Sequence, residues 1–145
     1  MPQQTFTIRP ATWQQDKQAL SQIREQVFIR EQNVPTELEW DGEDETALHL
    51  LAEDGDGNPI GTARMLQDGH IGRVAVLSPW RGRGVGSALM KQVLKTATHE
   101  HHRKVFLDAQ IDAIGFYQKL GFNAEGITFM DAGIPHRHMV RKMYT

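Results

Sequence analysis

Residues Gly72 to Ala97 read GRVAVLSPWRGRGVGSALMKQVLKTA. Val74-Ala75-Val76-Leu77 is an apolar run of strand type, Ser78-Pro79-Trp80 turns the chain, and Arg81-Gly82-Arg83-Gly84-Val85-Gly86 leads into a helical pattern. In that pattern Val85, Ala88, Leu89, Val93 and Ala97 share one face, while Lys91 and Lys95 lie elsewhere. A buried strand, a turn of small residues and a helix N-terminus make a site for phosphate, because unpaired backbone N–H groups and the helix dipole converge there.

The elements around this stretch follow in order. Phe6-Thr7-Ile8-Arg9 alternates as a short strand closed by Pro10, and Leu20, Ile23, Val27 and Phe28 fall at helical spacing up to Val34-Pro35. Leu48 to Glu53 and Ile60 to Leu66 read as strands joined by the turn Asp54-Gly55-Asp56-Gly57-Asn58-Pro59. That turn lacks the later Glu of a calcium loop, so it reads as a hairpin tip. Gln67 to His70 is a further turn, and Ile71 to Leu77 is the third strand of an antiparallel set.

After the glycine helix, His99, His101 and His102 read as a solvated helix end, and Val105 to Ala109 is a short buried strand. Strand, crossover helix and strand predict a parallel, right-handed unit. Asp112 is placed to cap a helix over Ala113 to Leu120, and Gly121 to stop it. A strand near Ala124 to Phe129, a loop over Asp131 to Pro135 and a last strand over His138 to Tyr144 complete the chain. The order β-α-β-β-β-α-β-α-β-β predicts an α+β (mixed α/β) domain over residues 1–145, with a mixed, mostly antiparallel central sheet and helices on both faces.

Composition narrows the function classes. The 145 residues carry 16 Lys and Arg against 18 Asp and Glu, a balance that makes no case for wrapping nucleic acid or coating a membrane. No cysteine is present, which excludes disulfides, cysteine-zinc sites and thiol catalysis. Met1 to Thr5 has neither the basic region nor the apolar core of a signal peptide, and no apolar run approaches a membrane span, so a cytoplasmic protein is expected. The acidic piece Glu37, Glu39, Asp41, Glu43, Asp44 and Glu45 reads mainly as a solvated loop that favours a cationic partner, with Trp40 packed on something. A homodimer is compatible with the sequence, which contains nothing that demonstrates it.

Three nucleotide patterns compete for the glycine turn. A phosphate-binding Walker loop needs Lys followed by Ser or Thr, and Gly86 is followed by Ser87-Ala88. A dinucleotide fingerprint fits neither register of the glycines, although Asp108 stands where a ribose-binding acid is expected. The third pattern is Arg81-x-x-Gly84-x-Gly86, which resembles the Arg/Gln-x-x-Gly-x-Gly/Ala signature of the GNAT (Gcn5-related) acetyltransferase superfamily. Phe116-Tyr117-Gln118-Lys119 with Gly121-Phe122 is similar to a second segment of that family, at the expected separation. Arg24-x-x-Val27-Phe28-x-x-Glu31-Gln32-x-Val34-Pro35, Glu39-Trp40-Asp41 and Gly133-Ile134-Pro135-His136 resemble a small bacterial branch, so the likeness covers nearly the whole chain.

The resemblance implies a GNAT-like fold and acetyl transfer from acetyl-CoA, without a metal, to a primary amine of a small molecule or peptide. It implies that Val74, Ala75 and Val76 run beside the pantetheine arm on a strand opened by a bulge, with a backbone N–H near Val76 on the thioester oxygen. Arg81, Gly82, Arg83, Gly84, Val85, Gly86 and Ser87 would hold the pyrophosphate. Tyr117 would protonate the leaving thiolate, and Glu31 and His136 are the candidate bases. Arg24, Phe28, Trp40, Asp108 and Gln110 are the candidate acceptor contacts. A non-catalytic acyl-CoA-binding module and a dinucleotide-binding oxidoreductase stand as alternatives.

Overall fold

A computed structural model describes residues 5–143; Met1 to Gln4, which entered the signal-peptide argument, and Tyr144, expected in the last strand, lie outside the described residues. Strands β1 (Phe6–Ala11), β2 (Leu48–Asp54), β3 (Pro59–Met65) and β4 (Ile71–Val76) form one antiparallel sheet in that order. Strands β5 (Lys104–Gln110), β6 (Asn123–Asp131) and β7 (Ile134–Lys142) form a second, in the order β5-β7-β6. The fold is α+β, as the element pattern predicts.

Helix α1 (Trp13–Arg24) begins at Thr12, whose hydroxyl accepts the Gln15 N–H at 3.2 Å. It passes into a π-helical segment, Glu25–Glu31, and ends before Val34-Pro35. A short α2 (Thr36–Glu39) follows in the acidic piece, and α3 (Val85–His99) and α4 (Ile114–Lys119) follow β4 and β5. Leu50, Ile60, Met65 and Ile71 pack with Leu89, Met90 and Val93 of α3 on one face of the first sheet. Leu51 and Ala75 pack with Leu20, Ile23 and Val27 on the other. Burial on both faces is why β2 reads as a continuous apolar run rather than an alternating one.

Three details depart from the expected pattern. The parallel unit survives as a bridge, His70 to Phe106, where the Phe106 N–H donates to the Gly69 carbonyl at 3.1 Å; among the described residues the two sheets are otherwise unpaired. Beyond that bridge β4 carries a bulge, as the resemblance implies, between its pairs with Thr62 and Arg64, and Arg73 there has φ +50°. The expected loop at Asp131 to Pro135 is a tight hairpin in which only Ala132 and Gly133 lie between strands, both with positive φ. Pro135 is tolerated because it sits at the start of β7, beyond Gln110, where β5 has ended. Asp112 lies in a 3-10 turn, Ile111–Ala113, and caps nothing.

Gly69 holds the junction. Its φ is +94°, and a Cβ there would stand 2.9 Å from the Lys104 carbonyl oxygen. Gly69→Ala should therefore cost about 1–3 kcal/mol in urea-unfolding free energy. A variant as stable as the parent would show that the junction yields to accommodate the methyl.

Candidate active site

The glycine turn is built as a concave run of backbone. Ser78–Trp80 forms a 3-10 turn, Gly82 and Gly84 have φ +75° and +87°, and Gly84 is the N-cap of α3. The left-handed conformation at Gly84 explains why a side chain is unwelcome there. No side chain caps the helix and no acidic residue stands in its first turn. The first N–H groups of a 15-residue helix, at Val85, Gly86 and Ser87, thus have no side-chain acceptor. Gly86 lies beside the Phe116 ring, whose Cζ a Cβ there would meet at an ordinary contact distance of 3.6 Å.

The side chain of Arg81 serves the scaffold. Its Nε donates to the Val76 carbonyl at 2.9 Å and its Nη2 to Glu31 at 2.7 Å, which ties the end of β4 to the π segment. Arg83 stands over the Trp80 ring at 5.5 Å.

A cleft of about 380 Å³ opens where β4 parts from β5. The bulged stretch Gly72–Val74 forms one wall and Leu107–Gln110 with Tyr117 the other; Phe28, Gln32 and the start of the acidic piece close one side, and Ile134 and His136 another. Tyr117 is placed by the end of α4. The Phe122 N–H donates to the Tyr117 carbonyl at 3.1 Å, the Gly121 N–H to that of Gln118 at 3.0 Å, and Gly121 has φ +91°. This is a Schellman cap, and its apolar contact is Tyr117 against Phe122, with ring centroids 5.9 Å apart. Burial pushes the Tyr117 phenol up to about 12, so it stays protonated at physiological pH. Its hydroxyl has no hydrogen-bond partner among the described residues.

The open face of the second sheet supplies the remaining polar groups. Gln110 donates to Gln32 at 2.8 Å. His136 is 8 % exposed, stacks on Phe129, and contacts the Ile134 carbonyl through Nδ1 at 2.6 Å. A carbonyl can only accept, so Nδ1 carries the proton. Asp108 Oδ1 receives His138 Nδ1–H at 2.8 Å.

The sequence model of the Acetyltransferase (GNAT) domain matches residues 13–143. The chain belongs to the GNAT acetyltransferase family. It is 38 % identical over 123 residues to YjcF of Bacillus subtilis, named an uncharacterized N-acetyltransferase, covering 82 % of this chain and 87 % of that one. The crystal structure of Escherichia coli ElaA superposes with a TM-score of 0.85 at 34 % identity, covering 94 % of this chain and 99 % of that one. An acyl-CoA N-acyltransferase from Pseudomonas aeruginosa gives 0.81 at 32 % identity, covering 96 % and 99 %. The family implies an acyl-CoA co-substrate and an acceptor. Among the described residues no group of three or more His, Cys, Asp or Glu could hold a metal ion, and no helix is long and apolar enough to cross a membrane.

The acetyltransferase corrects several expectations. The acidic piece is not mainly a solvated loop: Glu39 and Asp44 are buried, and with Asp41 they bind Arg24, Arg64 and Arg73. Only Glu37, Glu43 and Glu45 fit the solvated reading. Arg24 is no acceptor contact, because it is fully buried; Nε donates to Glu39 at 2.8 Å and Nη1 to Asp44 at 2.6 Å. Trp40 stands outside the cleft lining, over the Arg24 guanidinium at 5.0 Å, with Trp13 also against it at 5.6 Å. Burial acts to raise Asp41 and Asp44, but hydrogen bonds and charge from the arginines outweigh it and hold both below the usual carboxylate range. Burial wins at Glu39 and pushes it up.

Glu31 is likewise outside the cleft lining, bound to Arg81. The structure gathers Val74, Phe28, Asp108, Gln110, Tyr117 and His136 in the cleft. It adds Gln32, His70 and Arg73, to which the sequence reading assigned no role. Arg73 swings from the bulge to the Glu39 carbonyl at 2.9 Å and bolts the acidic piece to β4. Asp108 holds His138, and with the family shown the dinucleotide-binding alternative falls.

Proposed function

We propose that this acetyltransferase moves an acetyl group from acetyl-CoA to a primary amine of a small molecule or peptide. The observation that carries the reading is the parting of β4 from β5 between two features: the uncapped N-terminus of α3 and a protonated Tyr117. In this reading the pyrophosphate rests on the N–H groups of Val85, Gly86 and Ser87, with the Arg81–Gly84 turn around it. The pantetheine arm runs beside Val74, Ala75 and Val76, whose bulged strand has backbone groups to spare, and an N–H near Val76 donates to the thioester oxygen. Tyr117 serves as the acid, and the acceptor enters past Phe28, Asp108 and Gln110. Of the bases considered from the sequence, His136 lies in the cleft and Glu31 does not.

A screen with acetyl-CoA, following release of free thiol across polyamines, amino sugars, amino acids and peptide N-termini, tests this directly. Acetyl-CoA at a hundred times its Kd should stabilise the protein by about 2.7 kcal/mol, and NAD should not. Heat protection without thiol release from any amine would favour a non-catalytic acyl-CoA-binding module instead.

A further inference from the structure

Acetyl transfer to an amine that is a cation at neutral pH needs a group that removes a proton before attack. His136 is poorly suited to be that group. Its ring is nearly buried, its contacts are a backbone carbonyl and Phe129, and among the described residues it pairs with no carboxylate.

A second histidine lies in the same cleft. The His70 ring stacks on Phe106 at 4.9 Å, and its Nε2 stands 3.9 Å from Asp108 Oδ2. That gap is too wide for a hydrogen bond. It has room for a nitrogen bound to both atoms at about 2.8 Å each. The other oxygen of the same carboxylate is fixed by His138, which faces Asp108 in the β5–β7 register. His70 is brought there by its bridge to Phe106, which joins the two sheets.

Resting on the amine reading above, we infer that His70 and Asp108 seat the acceptor ammonium and that His70 takes its proton. His138 positions Asp108. An N–H bond of the ammonium breaks, its proton moves to His70 Nε2, and the imidazolium forms beside the Asp108 carboxylate, which stabilises it. The freed lone pair attacks the thioester carbon. As the C–S bond breaks, the thiolate takes the Tyr117 phenolic proton, and one hydrogen of the new C–NH2 group replaces it. One proton per acetyl group leaves through His70, whose side chain is 36 % exposed.

Glu39, Asp41, Arg73, Asp131 and His136 line the same cleft as this pair, and four further titratable groups lie just outside it. Asp68 holds the His70 backbone N–H at 3.0 Å, His102 and Lys104 flank Gly69, and Glu125 of β6 stands opposite His138.

Two probe amines separate proton removal from the rest of catalysis. n-Butylamine is a cation at pH 7, whereas hydroxylamine is a weak base and already neutral. With acetyl-CoA and n-butylamine at pH 7, His70→Gln and Asp108→Asn should each lower kcat/KM on the order of 10²-fold. With hydroxylamine the loss should shrink to a few-fold. The butylamine deficit should also narrow as pH rises and the amine deprotonates itself. His138→Ala should reproduce part of the loss and move the acidic limb, and His138→Asn, which keeps a donor to Asp108, should restore it.

Protection of each variant by acetyl-CoA against heat reports that it is folded, and Asp108→Asn carries the comparison if His70→Gln does not fold. Equal losses with both amines, or an acidic limb moved by His136→Gln and not by His70→Gln, would overturn the inference alone. No thiol release from the parent enzyme with any amine would sink the amine reading, and this inference with it.

Discussion

Arg24→Met should destabilise the protein by about 3–5 kcal/mol, measured by urea unfolding at pH 7. Arg24 is fully buried between Glu39 and Asp44, and two indole rings stand within 5.6 Å of its guanidinium. Methionine replaces most of the volume, so the loss measured is mainly the charge left behind. Arg73 and Arg64 still reach Glu39 and Asp44, at 3.1 Å each, which keeps the cost from growing further.

The pH dependence distinguishes this cause from lost packing. In the parent, Asp44 is held below its ordinary value, so its contribution is present above about pH 4 and fades as pH falls below that. In the variant the Arg24 partner is gone, only Arg64 still opposes burial, and the folded value of Asp44 rises. Protonation then costs the variant less than the parent as pH falls. The gap between the two proteins should be widest at neutral pH and narrow towards pH 4. A gap constant across that range would assign the loss to packing against Trp13 and Trp40.

That network was hidden from the sequence for a physical reason. Arg24 lies 15 residues from Glu39 and 20 from Asp44, and Arg64 lies 23 from Asp41, so no local period connects them. A run of acids looks the same whether water or arginine receives it. The glycine turn and Tyr117 were legible because their structure is local: positive φ at Gly84, and a cap closed by Gly121 and Phe122 within one turn of Tyr117. The parting of the sheets was legible only through the family resemblance, which implied a strand opened by a bulge, and not from the residues themselves. Apolar runs such as Val74–Leu77 and Val105–Ala109 state that strands are buried, and they are silent on whether two strands pair along their length. His70 and His138 went unassigned for the same reason, since they meet at Asp108 only through the β4–β5 bridge and the β5–β7 register.

Tyr117→Phe should lower kcat by about 10² to 10⁴-fold and leave the affinity for acetyl-CoA and the folding free energy nearly unchanged. The hydroxyl makes no hydrogen bond among the described residues, so its removal strands no buried partner. Phe116 and Phe122, edge-on at 5.0 and 5.9 Å, pack against the ring in either case.

The energetics of the proton set a condition. A phenol at about 12 is a weaker acid than an ordinary thiol near 8.5, so donation to a solvated thiolate would run uphill. It becomes feasible where the same apolar wall desolvates the thiolate and raises its proton affinity as well. Tyr117 then acts first as a hydrogen-bond donor to the developing sulfur anion and completes the transfer as the C–S bond breaks. Because the phenol stays protonated up to about 12, it should add no alkaline limb to kcat between pH 6 and about pH 10. An alkaline fall near pH 8 to 9 that vanished in the phenylalanine variant would mean that the working enzyme depresses Tyr117 instead. A variant with unchanged kcat and acetyl-CoA still bound would remove Tyr117 from the chemistry altogether.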